Sequence, residues 1–206
     1  MEIVGRTKGI AWAEGVRAIE RLYGREKLME AVAAMPENRR GGLDLDHETL
    51  GILPGSWYPD VQRHAFYDAL LVGLSPFQQR QLGHKIADAV MARSLRGVHR
   101  ILFAVMATPE RFVTHAQTLW RQHHDTGTLR LRMLSPTSLE AALVDWPTHH
   151  PFACLVNHIS CGVTLEAMGC RDVSQQRVCI SDGAADCVGV YYWRSPAKIV
   201  AGLNPQ

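Results

Sequence analysis

The sequence predicts an α+β fold, with an N-terminal helical bundle packed on a small antiparallel sheet and a C-terminal part running β-β-α-β-β. Three observations predict it. From Ile10 to His123 apolar residues recur three and four positions apart, the period of a helix. After Asp125-Thr126-Gly127 the spacing shortens to two, the period of a strand. The helices come first and the strands later, which favours an antiparallel sheet covered by helices over a parallel βα alternation.

The elements follow in order. Ile10 to Tyr23 places Val16, Ile19, Leu22 and Tyr23 near helical spacing, and Gly24 is a natural stop. Arg25 to Met35 repeats the pattern, and Pro36 ends it. The segment ENRRGGLDLDHETLGILPGSWYPD is rich in turn residues. Its aromatics Trp57 and Tyr58 are expected to tuck against the helices, with Trp57-Tyr58-Pro59 also a candidate contact surface. Val61 to Val72 is a short amphipathic helix. Ser75-Pro76 opens another, which runs to about Leu95. Val98 to Met106 is the most apolar run, and Thr108-Pro109-Glu110 starts a helix that reaches His123. Thr128 to Leu134 alternates, with Leu129, Leu131 and Met133 on one side and Arg130 and Arg132 on the other. Ser135-Pro136-Thr137 turns into a returning strand, Leu139 to Trp146. Pro147 and Pro151 bracket a loop with His149 and His150. Phe152 to Met168 reads as a helix ended by Gly169, and Val173 to Ile180 and Cys187 to Trp193 as strands.

Length and composition bound the function. A chain of 206 residues, 47% hydrophobic and 20% charged, suits one compact domain, with 1–126 the helical part and 127–206 the sheet. The net charge is +2 with no block of Lys and Arg, so no nucleic-acid partner is expected. The N-terminus lacks the apolar core of a signal peptide. No stretch approaches the roughly 18 apolar residues of a membrane helix. A cytoplasmic location is therefore expected. No G-x-S-x-G, phosphate-binding loop, G-x-G-x-x-G or H-E-x-x-H is present, so no enzyme is expected. Asp44, Asp46, His47 and Glu48 read as solvated loop groups, and the pairs His123-His124 and His149-His150 as turn-exposed residues. Were the two pairs to meet in space, they would suit a metal or a response near neutral pH.

All five cysteines lie between Cys154 and Cys187. In a reducing cytosol this points to thiols or metal ligands rather than disulfides. Cys179 and Cys187 sit at the mouths of the last hairpin, where facing strand positions lie roughly 5 Å apart. Cys154, His158 and Cys161 share one face of the preceding helix. If that helix packs across the hairpin, these groups can converge on a tetrahedral zinc. The competing reading is a core packed with small apolar thiols.

The stretch CISDGAADCVGVYYW, with its C-x3-G-x3-C spacing and aromatic strand, resembles the signature of the 4-vinyl-reductase-type small-molecule-binding domain. Cys154 stands at the matching distance upstream. That domain belongs to the ligand-binding fold of nitric-oxide signalling and Golgi transport, which includes phenol sensors, haem nitric-oxide sensors and transport-particle subunits. The N-terminal half, with GVRAIERLYG and SWYP, resembles a paralogous family of such domains expanded in myxobacteria.

The resemblance implies a zinc held by Cys154, Cys179 and Cys187. In the phenol-sensor relatives the fourth ligand is a glutamate, where this chain has Gln176, so the expectation is either an empty site or a fourth bond from His158 or Cys161. It also implies an apolar pocket between helices and sheet for a small hydrophobic or aromatic molecule, with Phe103, Met106, Trp120 and Trp146 as candidate lining. The expected function is a sensor or adaptor that signals through contact with a protein partner, with a homodimer through the helical part as the default. No output module follows before Gln206. The alternative is a non-catalytic scaffold whose pocket is filled by its own side chains. A haem-based gas sensor is the less favoured reading. The Tyr-x-Ser-x-Arg motif of haem relatives is not reproduced by YYWRS or LRMLSPTS, and lone histidines such as His99 and His115 read as ordinary helix residues.

Overall fold

The computed structural model describes residues 5–94 and 108–194. The apolar run Val98 to Met106, with His99, Phe103 and Met106, lies outside the described residues. Helix α1 (Gly9–Ala34) contains both of the first two expected helices. They join at Gly24, whose φ of 84° and ψ of 165° are not helical, so the expected stop survives as a kink. Before the kink, Trp12, Val16 and Ile19 lie on one face and are at most 1% exposed. Helices α2 (Asp60–Leu71), α3 (Pro76–Ser94) and α4 (Pro109–His123) follow. Thr108 caps α4 by accepting from the Arg111 amide, and Pro109 fills the first turn, where a missing N–H costs nothing.

The second half is a four-stranded antiparallel sheet with one helix, α5 (Pro151–Ala167), between its hairpins. Its strands are β3 (Thr128–Ser135), β4 (Ser138–Val144), β5 (Arg171–Val178) and β6 (Cys187–Arg194), in the spatial order β3-β4-β6-β5. The chain therefore has the expected α+β architecture. A second, smaller sheet has no counterpart in the sequence pattern. It pairs β1 (Arg6–Lys8) with β2 (Trp57–Pro59). Three-residue strands carry no period to detect. Tyr58 meets Trp12 edge to face at 5.5 Å, while Trp57 stays 36% exposed beneath the Lys8 ammonium.

The sheet buries one side of its two central strands, β4 and β6. On β4 and β6 that side carries Leu139, Ala141, Leu143, Cys187, Tyr191 and Trp193, all buried. α5 crosses this face closely because β6 has Gly189 at the crossing. A Cβ there would stand 2.6 Å from His158 Nδ1 and 3.0 Å from the Tyr191 hydroxyl. Gly189→Ala is expected to cost about 1–3 kcal/mol, the usual penalty for overpacking, read as a lower denaturant midpoint at unchanged slope.

Candidate metal centre

The metal centre is built from the two ends of the C-terminal part. Cys154 lies in the first turn of α5. Cys179 follows β5 and Cys187 opens β6, so the pair closes the hairpin, whose turn is a single 3-10 turn (Ile180–Asp182) ended by Gly183 at φ 88°. The three sulfurs converge. Cys179 Sγ is 3.1 Å from Cys187 Sγ and 3.6 Å from Cys154 Sγ, and all three residues are 0% exposed.

The fourth group is His149. Its Nε2 lies 3.2 Å from Cys179 Sγ, and one ligand atom from each of His149, Cys154, Cys179 and Cys187 falls within 4.8 Å of every other. Bonds of about 2.3 Å to sulfur and 2.0–2.1 Å to nitrogen set tetrahedral edges near 3.5–3.8 Å, so this quartet is the size of a zinc site. His158 is elsewhere. Its Nδ1–H faces the Tyr191 hydroxyl at 3.0 Å, and that hydroxyl donates to the His158 carbonyl at 2.7 Å. Cys161 is buried outside the quartet, as is Cys170. Gln176 cannot reach in. Arg177 donates to Cys154 Sγ at 3.4 Å, and Gln176, one residue earlier on a pleated strand, faces the opposite way and is exposed.

Two anchors on α2 hold His149 in place. Thr148 Oγ1 donates to Asp60 Oδ2 at 2.7 Å. His150 Nδ1 caps α5 by accepting from the Phe152 and Ala153 amides, and its Nε2–H donates to Asp68 at 3.0 Å. A neutral His150 is required at the cap, and burial lowers its pKa. The structure corrects the expectation that the histidine pairs are exposed. His150 is 8% and His124 4% exposed. His124 stacks on Trp120 at 3.9 Å, and burial holds its pKa well below the ordinary value. One member of each pair packs on Trp146, which His124 and His149 meet edge to face at 5.6 and 5.9 Å. The signal that would have found His149 is its place just before a Pro-initiated helix, five residues ahead of a cysteine.

Burial alone pushes the Cys179 thiol up, but hydrogen bonds from Ser181, Cys187 and Cys154 outweigh it and bring it down to about 6. Burial pushes Cys154 and Cys187 upward. Cys179 is thus the first sulfur to ionise, a natural first ligand for a metal.

The two described candidates for pocket lining pack on each other. Trp120 and Trp146 meet edge to face at 5.4 Å and are 4% and 6% exposed. Trp120 Nε1 donates to the Thr126 carbonyl, whereas Trp146 Nε1 and His64 Nε2 are buried with no partner among the described residues. Burial and the adjacent Arg63 push His64 down to about 2, so its ring is neutral.

The sequence matches no family model and no curated protein. Among solved structures the fold is similar to H-NOX domains. The unliganded Fe(II) H-NOX protein from K. algicida is 11% identical at a TM-score of 0.64, covering 91% of this chain and 97% of that one. A doubly substituted Tt H-NOX is 12% identical at 0.64, covering 92% and 96%. The S. oneidensis H-NOX in its Fe(II)NO state is 12% identical at 0.62, covering 91% and 99%. The likeness to these structures is one of fold.

Neither of two clefts among the described residues offers a free iron ligand. The cleft between α1 and α3, about 690 Å³, is lined by charged residues, alanines and Leu22, with no His, Cys, Tyr or Met to bind iron. A smaller cleft of about 290 Å³ holds His150, whose two ring nitrogens are already engaged. Trp12, Phe66, Tyr67, Trp120, Trp146, Phe152 and Tyr191 belong to one continuous core across the seam of helices and sheet. No described helix is long and apolar enough to cross a membrane.

Proposed function

We propose that this chain is a non-catalytic small-molecule sensor or adaptor domain of the 4-vinyl-reductase type, in which a zinc ion joins the last hairpin to α5. The observation that carries the reading is the quartet of half-buried His149 and buried Cys154, Cys179 and Cys187, whose ligand atoms lie within 4.8 Å of one another. Thiolate and imidazole are the ligands zinc prefers, and four protein ligands leave no open position for water, so the role is structural. The metal would fix the His149 loop beside Trp146, one wall of the aromatic seam. A small aromatic or hydrophobic molecule entering the seam would find a donor in Trp146 Nε1, which is buried without a partner among the described residues. The signal would pass through protein contact, with a homodimer as the assembly to be tested by light scattering.

The fourth ligand has a direct test. His149→Ala is expected to weaken zinc at least as much as loss of an outer-sphere partner does, about 100-fold, by competition with a chromophoric chelator. His158→Ala should leave zinc content unchanged and cost stability only, through the cavity left by the ring and the loss of its Nδ1 contact with the Tyr191 hydroxyl, which keeps its bond to the backbone carbonyl of residue 158. Zinc loss in the His158 variant with retention in the His149 variant would contradict the assignment. A thermal-shift screen with aromatic and fatty ligands tests the pocket, and a rise in melting temperature is the expected result. The tight Trp120–Trp146 contact favours the filled-pocket scaffold as second reading. Under that reading no ligand raises the melting temperature, and denaturing mass spectrometry finds no co-purifying molecule.

A further inference from the structure

The smaller cleft is lined by no member of the zinc quartet, and it meets the aromatic seam only at Phe152. It opens between the end of α2, the start of α3, the N-terminus of α5 and the β5–β6 turn, with a volume of about 290 Å³, the low end for a small-molecule site. Leu71, Pro151, Phe152 and Leu155 are its apolar lining, and Asp68, Gln79, Arg177 and Asp182 are among its polar groups. The charges are of both signs and come from three separate elements. Arg177 is the lone cation among the lining residues. It donates to Cys154 Sγ at 3.4 Å and also engages Cys179, which uses part of a guanidinium with five donors. Asp68 gives one oxygen to His150, yet its side chain is 74% exposed. Asp182 is exposed on the turn.

The helix terminus itself offers an anion nothing. Pro151 has no N–H, the Phe152 and Ala153 amides go to His150 Nδ1, and the Cys154 amide goes to the His150 carbonyl. A carboxylate in this cleft would therefore have to be met by Arg177, and an ammonium by Asp68 and Asp182. We propose that the cleft bounded by Asp68, Arg177 and Asp182 binds a small zwitterion carrying one carboxylate and one protonated amine, and that the cysteine–histidine centre senses its presence.

The coupling is geometric. Arg177 touches both the cleft and Cys154 Sγ, and Asp68 holds His150, the residue next to His149. A carboxylate that takes up Arg177 withdraws a charged donor from one metal-binding sulfur. An amine on Asp68 competes for the oxygen that anchors the His149 loop. Outer-sphere partners of this kind change metal affinity about 10–100-fold when removed. This coupling rests on the zinc reading, whereas binding in the cleft does not.

Calorimetric titration of the full chain with glycine, β-alanine and 4-aminobutyrate tests the site, with acetate and methylammonium as single-charge controls. At least one zwitterion is expected to bind with a dissociation constant of about 1 mM or tighter, and neither control to match it. Arg177→Gln and the surface change Asp182→Asn are each expected to weaken that binding tenfold or more. No heat from any zwitterion, equal binding of acetate alone, or binding unaffected by both substitutions would overturn the proposal. The visible bands of the cobalt-loaded protein read the coupling in the same titration, and bound zwitterion is expected to shift them. Bands unmoved by bound zwitterion would overturn the coupling. Failure of the chain to bind cobalt at all would overturn the coupling and the zinc reading together, leaving the calorimetric result on the cleft intact.

Discussion

Removing the metal is expected to lower the melting temperature by about 8–16 °C. A metal present at about a thousand times its dissociation constant stabilises the folded state by about 4 kcal/mol, and each kcal/mol moves a domain of this size by about 2–4 °C. The protein should remain folded, because its core is continuous from α1 to the sheet and does not depend on the metal. Cys179→Ser should melt near the chelated value and lose its response to chelator. The effect depends on pH in a defined direction. Cys154 and Cys187 have raised pKa values, so near neutrality a metal must displace their protons. Two protons released mean that apparent affinity falls about a hundredfold for each unit the pH drops. Scanning calorimetry with and without chelator at pH 6, 7 and 8 reads both effects. A melting temperature indifferent to chelator at every pH would contradict them.

Asp60→Ala is expected to cost about 3–5 kcal/mol, a fall of roughly 6–20 °C. Asp60 is fully buried and its carboxylate is shared among three groups. Thr7 Oγ1 and Arg63 Nη2 donate to one oxygen, and Thr148 Oγ1 to the other. Arg63 is 4% exposed, so removing its partner strands a guanidinium in the interior. The same change frees Thr148 and loosens the loop that carries His149, so weaker metal binding should accompany the lost stability. Arg63→Met added to Asp60→Ala should cost less than the two single changes together, because no charge is then left unpaired. Strictly additive losses would show that the pair acts independently.

Much of the architecture was legible because it obeys a period. The Trp12–Val16–Ile19 face, the Thr108-Pro109 start of α4 and the alternation of β3 are local patterns that burial reinforces. The meeting of Cys154 with Cys179 and Cys187 was legible in part, through hairpin geometry and a family signature. What stayed hidden depends on contacts distant in sequence. β1 and β2 are too short to alternate, and they pair residues about fifty positions apart. His149 lies in a loop, where no period says which way a side chain points, and only the anchors to Asp60 and Asp68 turn it inward. His124 and His150 look like solvated turn residues until Trp120 and the α5 terminus are seen to cover them. Asp60 and Arg63, one turn apart on α2, resemble the charged face of a surface helix, and nothing local shows that α2 is covered there by Thr7 and Thr148.

The most direct test of the central claim is zinc-edge X-ray absorption on protein purified without added metal. The account predicts about one zinc per chain, with three sulfurs at about 2.3 Å and one nitrogen at about 2.0–2.1 Å. Absence of stoichiometric zinc, or a first shell of oxygen and nitrogen without sulfur, would contradict it.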